Sequence, residues 1–198
     1  MTKQEQLNAL YNQYKSQFTD NEIVLGEGNP DAALLLIGEA PGRDEVKQGS
    51  PFVGMAGKNL TEFLEVLEVE RSSIYITNAI KFRLSKVNPK TGRKVNRPAT
   101  REEIESNKNY VIEEIDIIRP EIIVTLGNVS LRSVTGNYTA NIGSSHGEVQ
   151  RIDIMGREYK LFPLYHPASI IYNRSLKDVY LADLQKLKAI LKKQQNFS

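Results

Sequence analysis

Ala33-Leu34-Leu35-Leu36-Ile37-Gly38-Glu39-Ala40-Pro41-Gly42 decides the fold. Five apolar residues in a row, stopped by a glycine, show no alternation and are too few for a helix. This is how a strand buried on both faces of a parallel sheet reads. Three further segments have the same character: residues 73–79 around Ile74-Tyr75-Ile76, residues 121–126 ending at Gly127, and residues 160–165 ending at His166. The stretches between them carry helical spacing. Leu60, Phe63, Leu64 and Leu67 share one face, and Ile104, Val111, Ile112, Ile115 and Ile118 share another, opened by a capping box of Thr100 and Glu103. Leu7, Leu10, Tyr11 and Tyr14 predict a helix over residues 3–18, and Tyr180, Leu184, Leu187 and Leu191 predict one over residues 177–193. Strand-helix alternation along the whole chain predicts an α/β fold. The expected form is a three-layer, Rossmann-like sandwich around a central, mainly parallel four-stranded sheet, with residues 1–198 forming a single domain.

In an open parallel sheet, ligands bind outside the carboxyl ends of the strands. The residues that follow the four strands are Gly38-Glu39-Ala40-Pro41-Gly42, Asn78, Gly127-Asn128 and His166-Pro167. One carboxylate, two amides and an imidazole therefore converge on one rim. Each has an innocent reading alone: Glu39 as a helix cap, Asn78 as a loop brace, His166 as a core histidine. Their convergence at four strand ends points to a site.

Composition removes several chemistries. The chain has no cysteine, which excludes disulfides, thiolate metal sites and cysteine nucleophiles, and only two histidines, so no metal site is expected. Gly26-Glu27-Gly28 precedes the first strand instead of following it and lacks a third glycine, and no Walker lysine motif occurs. No apolar stretch approaches the length of a membrane span, and the first residues lack a signal-peptide core, so a cytoplasmic chain with no membrane partner is expected. Charge is concentrated in one place. Lys81, Arg83, Lys86, Lys90, Arg93, Lys94, Arg97 and Arg101 supply eight of the chain's 26 cations, over a stretch holding none of its 24 acids. Its Gly, Pro, Asn and Ser content predicts a loop. Such a segment neutralises phosphates or, more blandly, is a solvated surface loop.

Six motifs in order carry a resemblance. Gly38-Glu39-Ala40-Pro41-Gly42-Arg43-Asp44-Glu45, Pro51-Phe52-Val53-Gly54-Met55-Ala56-Gly57, Tyr75-Ile76-Thr77-Asn78, Asn96-Arg97-Pro98, Leu126-Gly127-Asn128 and His166-Pro167-Ala168 resemble those of the family 4 uracil-DNA glycosylases, from about residue 26 to the C-terminal helix. The resemblance implies a monofunctional, monomeric DNA repair enzyme that flips uracil out of DNA and hydrolyses its N-glycosidic bond. Its partner is uracil-containing DNA, and it needs no cofactor beyond water. It implies catalytic roles for Glu39 on the water, His166 as donor to uracil O2, and Asn96 as an aid to the water. Gly38, Ala40, Glu45, Phe52 and Asn78 would form the base pocket, with Phe52 stacking on uracil, Glu45 near its C5 edge and Asn78 reading its N3-H and O4. DNA contacts would come from Gly57, Lys81, Arg83, Arg93, Lys94, Arg97, Asn128, Ser169 and Ile170, with an isoleucine after His166 filling the gap left by the flipped base. Ile170 and its neighbour have a second reading, as packing under the last helix. His146, with no partner motif, reads as a surface loop residue.

Family 4 enzymes hold a structural iron-sulfur cluster on four cysteines. Phe82 and Asn107 stand at two of those positions here, and the N-terminal cysteine pair is absent. Packing by the Leu7-Tyr11-Tyr14 face with Phe82 is the expected substitute. Two other functions stay open at this point: a non-catalytic uracil-DNA or damaged-DNA binding protein of the same fold, and a glycosylase for another deaminated base.

Overall fold

The computed structural model describes residues 1–172 and 175–195. In chain order the elements are α1 (Lys3–Gln17), β1 (Glu27–Gly28), β2 (Leu34–Gly38), α2 (Arg43–Gln48), α3 (Gly54–Leu67), a 3-10 turn (Arg71–Ser73) and β3 (Tyr75–Asn78). They continue with β4 (Ser85–Val87), β5 (Lys94–Asn96), α4 (Arg101–Ile118), β6 (Ile122–Leu126), α5 (Gly127–Thr135) and α6 (Ile142–Ser145). The last are β7 (Gln150–Ile154), β8 (Arg157–Leu164), α7 (Pro167–Tyr172) and α8 (Leu176–Gln195).

The main sheet has the order β1-β3-β2-β6-β8-β7. The four predicted strands are its parallel centre, with β2 between β3 and β6 and β8 beside β6. The expected count of four is corrected to six, because short antiparallel strands cover both edges, β1 against β3 and β7 against β8. Those edge strands escaped the sequence reading for opposite reasons. β1 has only two residues, and β7 faces solvent on one side, so neither forms a continuous apolar run.

Strand alternation divides the core. Leu35 and Ile37 of β2 face α1, α4 and α5 through Leu7, Val111, Ile115 and Leu131. Leu34 and Leu36 face α3 and α8 through Leu60, Phe63, Leu64, Leu184 and Leu187. Both faces of the sheet are therefore covered, which is what the unbroken apolar runs required.

The basic stretch is not a plain loop. Residues 85–87 and 94–96 pair antiparallel as a separate two-stranded hairpin, Ser85 opposite Asn96 and Val87 opposite Lys94. Beneath it a third apolar cluster joins Tyr14 of α1 to Ile80, Phe82, Leu84 and Ile104. The rings of Phe18 and Phe82 lie 5.2 Å apart, and Tyr14 stacks edge-on to Tyr110 at 4.9 Å. The Tyr14 hydroxyl donates to Asn107 Oδ1 at 2.5 Å and accepts from the Lys81 backbone N-H at 3.0 Å. A packed phenylalanine and a hydrogen-bonded amide are no ligands for iron, so the side chains present do not fit a cluster. The expected substitute is present only in part: Tyr14 clusters with Phe82 and fastens α1 to α4 and to the segment after β3, whereas Leu7 and Tyr11 pack against the main sheet instead.

Candidate active site

Four strand ends and two loops build one rim. The parallel pairing of β2 and β3 carries on past the strand ends, with Ala79 N-H donating to Gly38 O and Ile80 N-H donating to Glu39 O, both at 2.9 Å. This register sets Gly38, Glu39 and Asn78 side by side. A cavity there is lined by Ala40, Gly42, Glu45, Phe52, Asn78 and His166, with Met55 of α3 and Asn96 of the hairpin at its mouth. A second hollow, lined by Glu39, Ala40, Asn96, Arg97, His166 and Ser169, adjoins it. Ala40, Pro41, Asn96 and His166 belong to both, so the site has two chambers with the imidazole at their boundary.

The first chamber is a slot for a flat polar ring. Phe52 forms one wall in a backbone conformation that side chains rarely adopt, φ +51°. Two groups hold it there. Glu45 accepts from the N-H groups of Gly42 and Val53, both at 3.1 Å, tying together the loops that follow β2 and α2. Arg71 donates to the carbonyls of Pro51 at 2.9 Å and Phe52 at 3.3 Å while pairing with Glu27 at 2.9 Å. Gly57 lets α3 approach this loop, since a Cβ there would lie 2.7 Å from Phe52 O. Asn78 ends β3 and is only 4% exposed, yet its side-chain amide bonds to no other described residue. The amide lines the cavity, where a ligand can supply its partner.

His166 follows β8, its Cβ close against Gly127. Its Nδ1 accepts the Ala168 backbone N-H at 3.2 Å, which places the imidazole proton on Nε2. Burial pushes its pKa below the ordinary histidine value, favouring that neutral tautomer. Burial has the opposite effect on Glu39. Its carboxyl is raised above the usual carboxylate range, with a hydrogen bond from the Ala99 backbone offsetting part of the shift. A half-buried carboxylate of raised basicity and a neutral imidazole donor are the pairing that acid-base work near neutral pH needs. Asn96 is oriented from outside, its Oδ1 accepting from Arg83 Nε at 3.2 Å.

Among the predicted DNA contacts, Lys81 is corrected by its burial, and others have partners within the protein. Lys81 is fully buried against Glu114 at 2.7 Å and reaches no surface. The Arg83 side chain is 7% exposed and turned inward to Asn96 and Glu22. Asn128 uses its amide oxygen to accept the Ile142 N-H at 2.7 Å, which ties α5 to the first residue of α6. Arg97 is held by Glu103 at 2.5 and 2.8 Å, and Lys94 lies 3.4 Å from Glu22. Arg93 is exposed and, like Lys86 and Lys90, has no ion-pair partner among the described residues. Ser169 is on the rim, in the Glu39 chamber. Ile170 belongs to α7 by its backbone, and its side chain lies outside the described residues, as does that of Ile171. His146 is no free loop residue: its Nδ1 pairs with the buried Asp183 at 2.6 Å and its ring packs on Tyr165 at 4.7 Å. Glu45 lines the base chamber, but both of its carboxylate oxygens are engaged by the loops it joins. Arg71 was not foreseen, because a lone arginine before a strand carries no sequence signal. Among the described residues no cluster of His, Asp and Glu could hold a metal ion, and no helix is long and apolar enough to cross a membrane.

A family model described as the uracil DNA glycosylase superfamily matches residues 25–188. Type-4 uracil-DNA glycosylase from Archaeoglobus fulgidus is 35% identical over 180 residues, 89% of this chain and 86% of the relative. The enzyme of that name from Sulfurisphaera tokodaii is 38% identical over 88% of this chain and 76% of its own length. The one from Thermotoga maritima is 36% identical over 87% and 84%. The match takes in every strand of the main sheet and both chambers of the rim, and on this ground the chain belongs to the uracil DNA glycosylase superfamily.

Proposed function

We propose that the chain is a family 4-like uracil-DNA glycosylase without cluster cysteines, a DNA repair enzyme that hydrolyses the bond between uracil and deoxyribose and leaves an abasic site. The observation that carries this reading is the Asn78 amide, which bonds to no other described residue and opens into a chamber that Phe52 and His166 also line. Uracil extruded from the stack lies against Phe52, at a gain of roughly 1 to 3 kcal/mol for stacking. Asn78 accepts from uracil N3-H and donates to O4. Cytosine presents the reverse pattern, leaving buried groups unpaired, and is rejected for that reason.

As the bond from C1′ to N1 breaks, its electron pair passes to the uracil ring and charge gathers on O2. His166 Nε2-H donates to that oxygen, an oxyanion-hole role. The sugar, left with oxocarbenium character, lies toward the second chamber. There Glu39 stabilises it and takes the proton of the water whose oxygen bonds to C1′. Asn96, its oxygen engaged by Arg83, turns its NH₂ donors to the boundary of the chambers. The hairpin cations Lys86, Lys90 and Arg93 contact DNA phosphates, which give affinity and register but no base identity.

The test is release of free base from labelled oligonucleotides carrying one uracil, cytosine or thymine, single-stranded and paired, with alkali cleavage as readout. Cleavage at uracil alone supports the proposal. Selective binding of uracil-DNA without release makes the chain a binding protein, and release of a different base moves it to another lesion.

A further inference from the structure

The buried pair Lys81 and Glu114 has no part in the steps above. Both side chains are 0% exposed and 2.7 Å apart. Lys81 Nζ also donates to the main-chain oxygen of Asn78 at 3.0 Å. Glu114 in turn accepts from the Tyr11 hydroxyl and, at 3.0 Å, from Thr77 Oγ1, while Tyr11 and Tyr75 share a hydrogen bond of 2.7 Å. The network thus grips β3 at Tyr75, Thr77 and Asn78 from the far side of the sheet.

Stability is a poor explanation for such a pair. Apolar side chains of similar volume stabilise an interior as well as a buried ion pair or better, and the neighbours Ile80, Val111 and Ile115 are apolar already. What the ion pair supplies and an apolar pair lacks is direction. A hydrogen bond to the Asn78 carbonyl fixes the peptide on which the reading amide is mounted. That amide must meet two atoms of the uracil edge, and a site loosened by about 1 Å loses on the order of 100-fold in rate. We propose that Lys81, anchored by Glu114, is a positioning residue that sets the Asn78 amide for uracil. The inference rests on the reading of Asn78 given above.

The experiment compares Lys81→Met, Asn78→Ala and the double variant Asn78→Ala/Lys81→Met for kcat/KM on an oligonucleotide with one deoxyuridine, and for affinity to the same DNA carrying an abasic site. Lys81→Met is expected to lower kcat/KM roughly 10- to 100-fold and to leave abasic-site affinity within about twofold, since no base is there to be read. In the Asn78→Ala background Lys81→Met is expected to cost nothing further. Full activity of Lys81→Met with a slow Asn78→Ala overturns the inference alone, as does an added loss in the double variant or an equal loss on abasic DNA. Full activity of Asn78→Ala overturns the reading of Asn78 and the inference with it. Melting curves accompany each variant, and Lys81→Met/Glu114→Gln, which removes both charges, replaces Lys81→Met if that variant fails to fold. In the wild type, saturating free uracil is expected to shift the Lys81 ¹⁵Nζ resonance, and an unmoved resonance contradicts the proposal without any variant.

Discussion

Gly38 separates the two side chains that hold the base. Its backbone φ is not positive, so Gly38→Ala strains no dihedral and acts only through the added carbon. That Cβ would stand 2.5 Å from Asn78 Oδ1 and 2.6 Å from Phe52 Cζ, where ordinary contact begins at 3.4 Å. The amide oxygen must therefore retreat by about 0.9 Å and the ring by about 0.8 Å. The ring cannot retreat with its backbone, because Arg71 and Glu45 pin residues 51–53. The side chains must give way, and displacement of that size costs on the order of 100-fold in rate, or about 2.7 kcal/mol of transition-state stabilisation. Both clashing atoms are side-chain ends, so the fold tolerates the change, at the low end of the roughly 1 to 3 kcal/mol that overpacking costs. Single-turnover uracil release on a deoxyuridine oligonucleotide, alongside a melting curve, reads both effects. Release within threefold of the wild type would refute the two-walled slot, and collapse of the fold would refute the claim that only side chains move.

Glu39→Gln is expected to abolish most uracil release and yet raise Tm at pH 7. Burial raises the Glu39 carboxyl, so the folded state holds its proton more tightly than the unfolded one, and stability falls as pH rises through that window. The amide escapes this cost, and an unchanged or lower Tm would contradict the assignment. For the wild type the same shift puts the acid limb of the kcat/KM profile above the ordinary glutamate range, activity falling as pH drops through it. Arg71→Ala frees the carbonyls of Pro51 and Phe52, and is expected to weaken product inhibition by free uracil roughly tenfold, about 1.4 kcal/mol. Replacing Lys86, Lys90 and Arg93 together by Ala is expected to flatten the slope of log affinity against log salt by about 2 to 3 for duplex DNA. An unaltered slope would remove the hairpin from the DNA face.

The parallel centre of the sheet was legible because burial on both faces leaves runs such as Ala33-Leu34-Leu35-Leu36-Ile37, and the rim was legible because each run stops at a polar or glycine residue. The edges were not, since β1 is too short and β7 too exposed to show a period. The hairpin was hidden by its Gly, Pro, Asn and Ser content, which reads as loop although residues 85–87 and 94–96 pair. Lys81 shows the limit of counting charges. It stands in the apolar run Ala79-Ile80-Lys81-Phe82, and its partner Glu114 interrupts the apolar stripe of α4 between Val111 and Ile115. A cation in one apolar run and an acid in another are a signal of a buried pair, visible only when the two are read together. Arg71, which clamps Phe52 through main-chain carbonyls, left no such trace.

The central claim is that a carboxylate in the second chamber and a neutral imidazole at the boundary of the two remove uracil from DNA. Single-turnover release of uracil by the wild type, Glu39→Gln and His166→Ala, on one oligonucleotide at saturating protein, tests it most directly. Release by the wild type, with losses of at least about 100-fold in each variant, is the predicted result. Wild-type rates in either variant, or no release by the wild type, would contradict it.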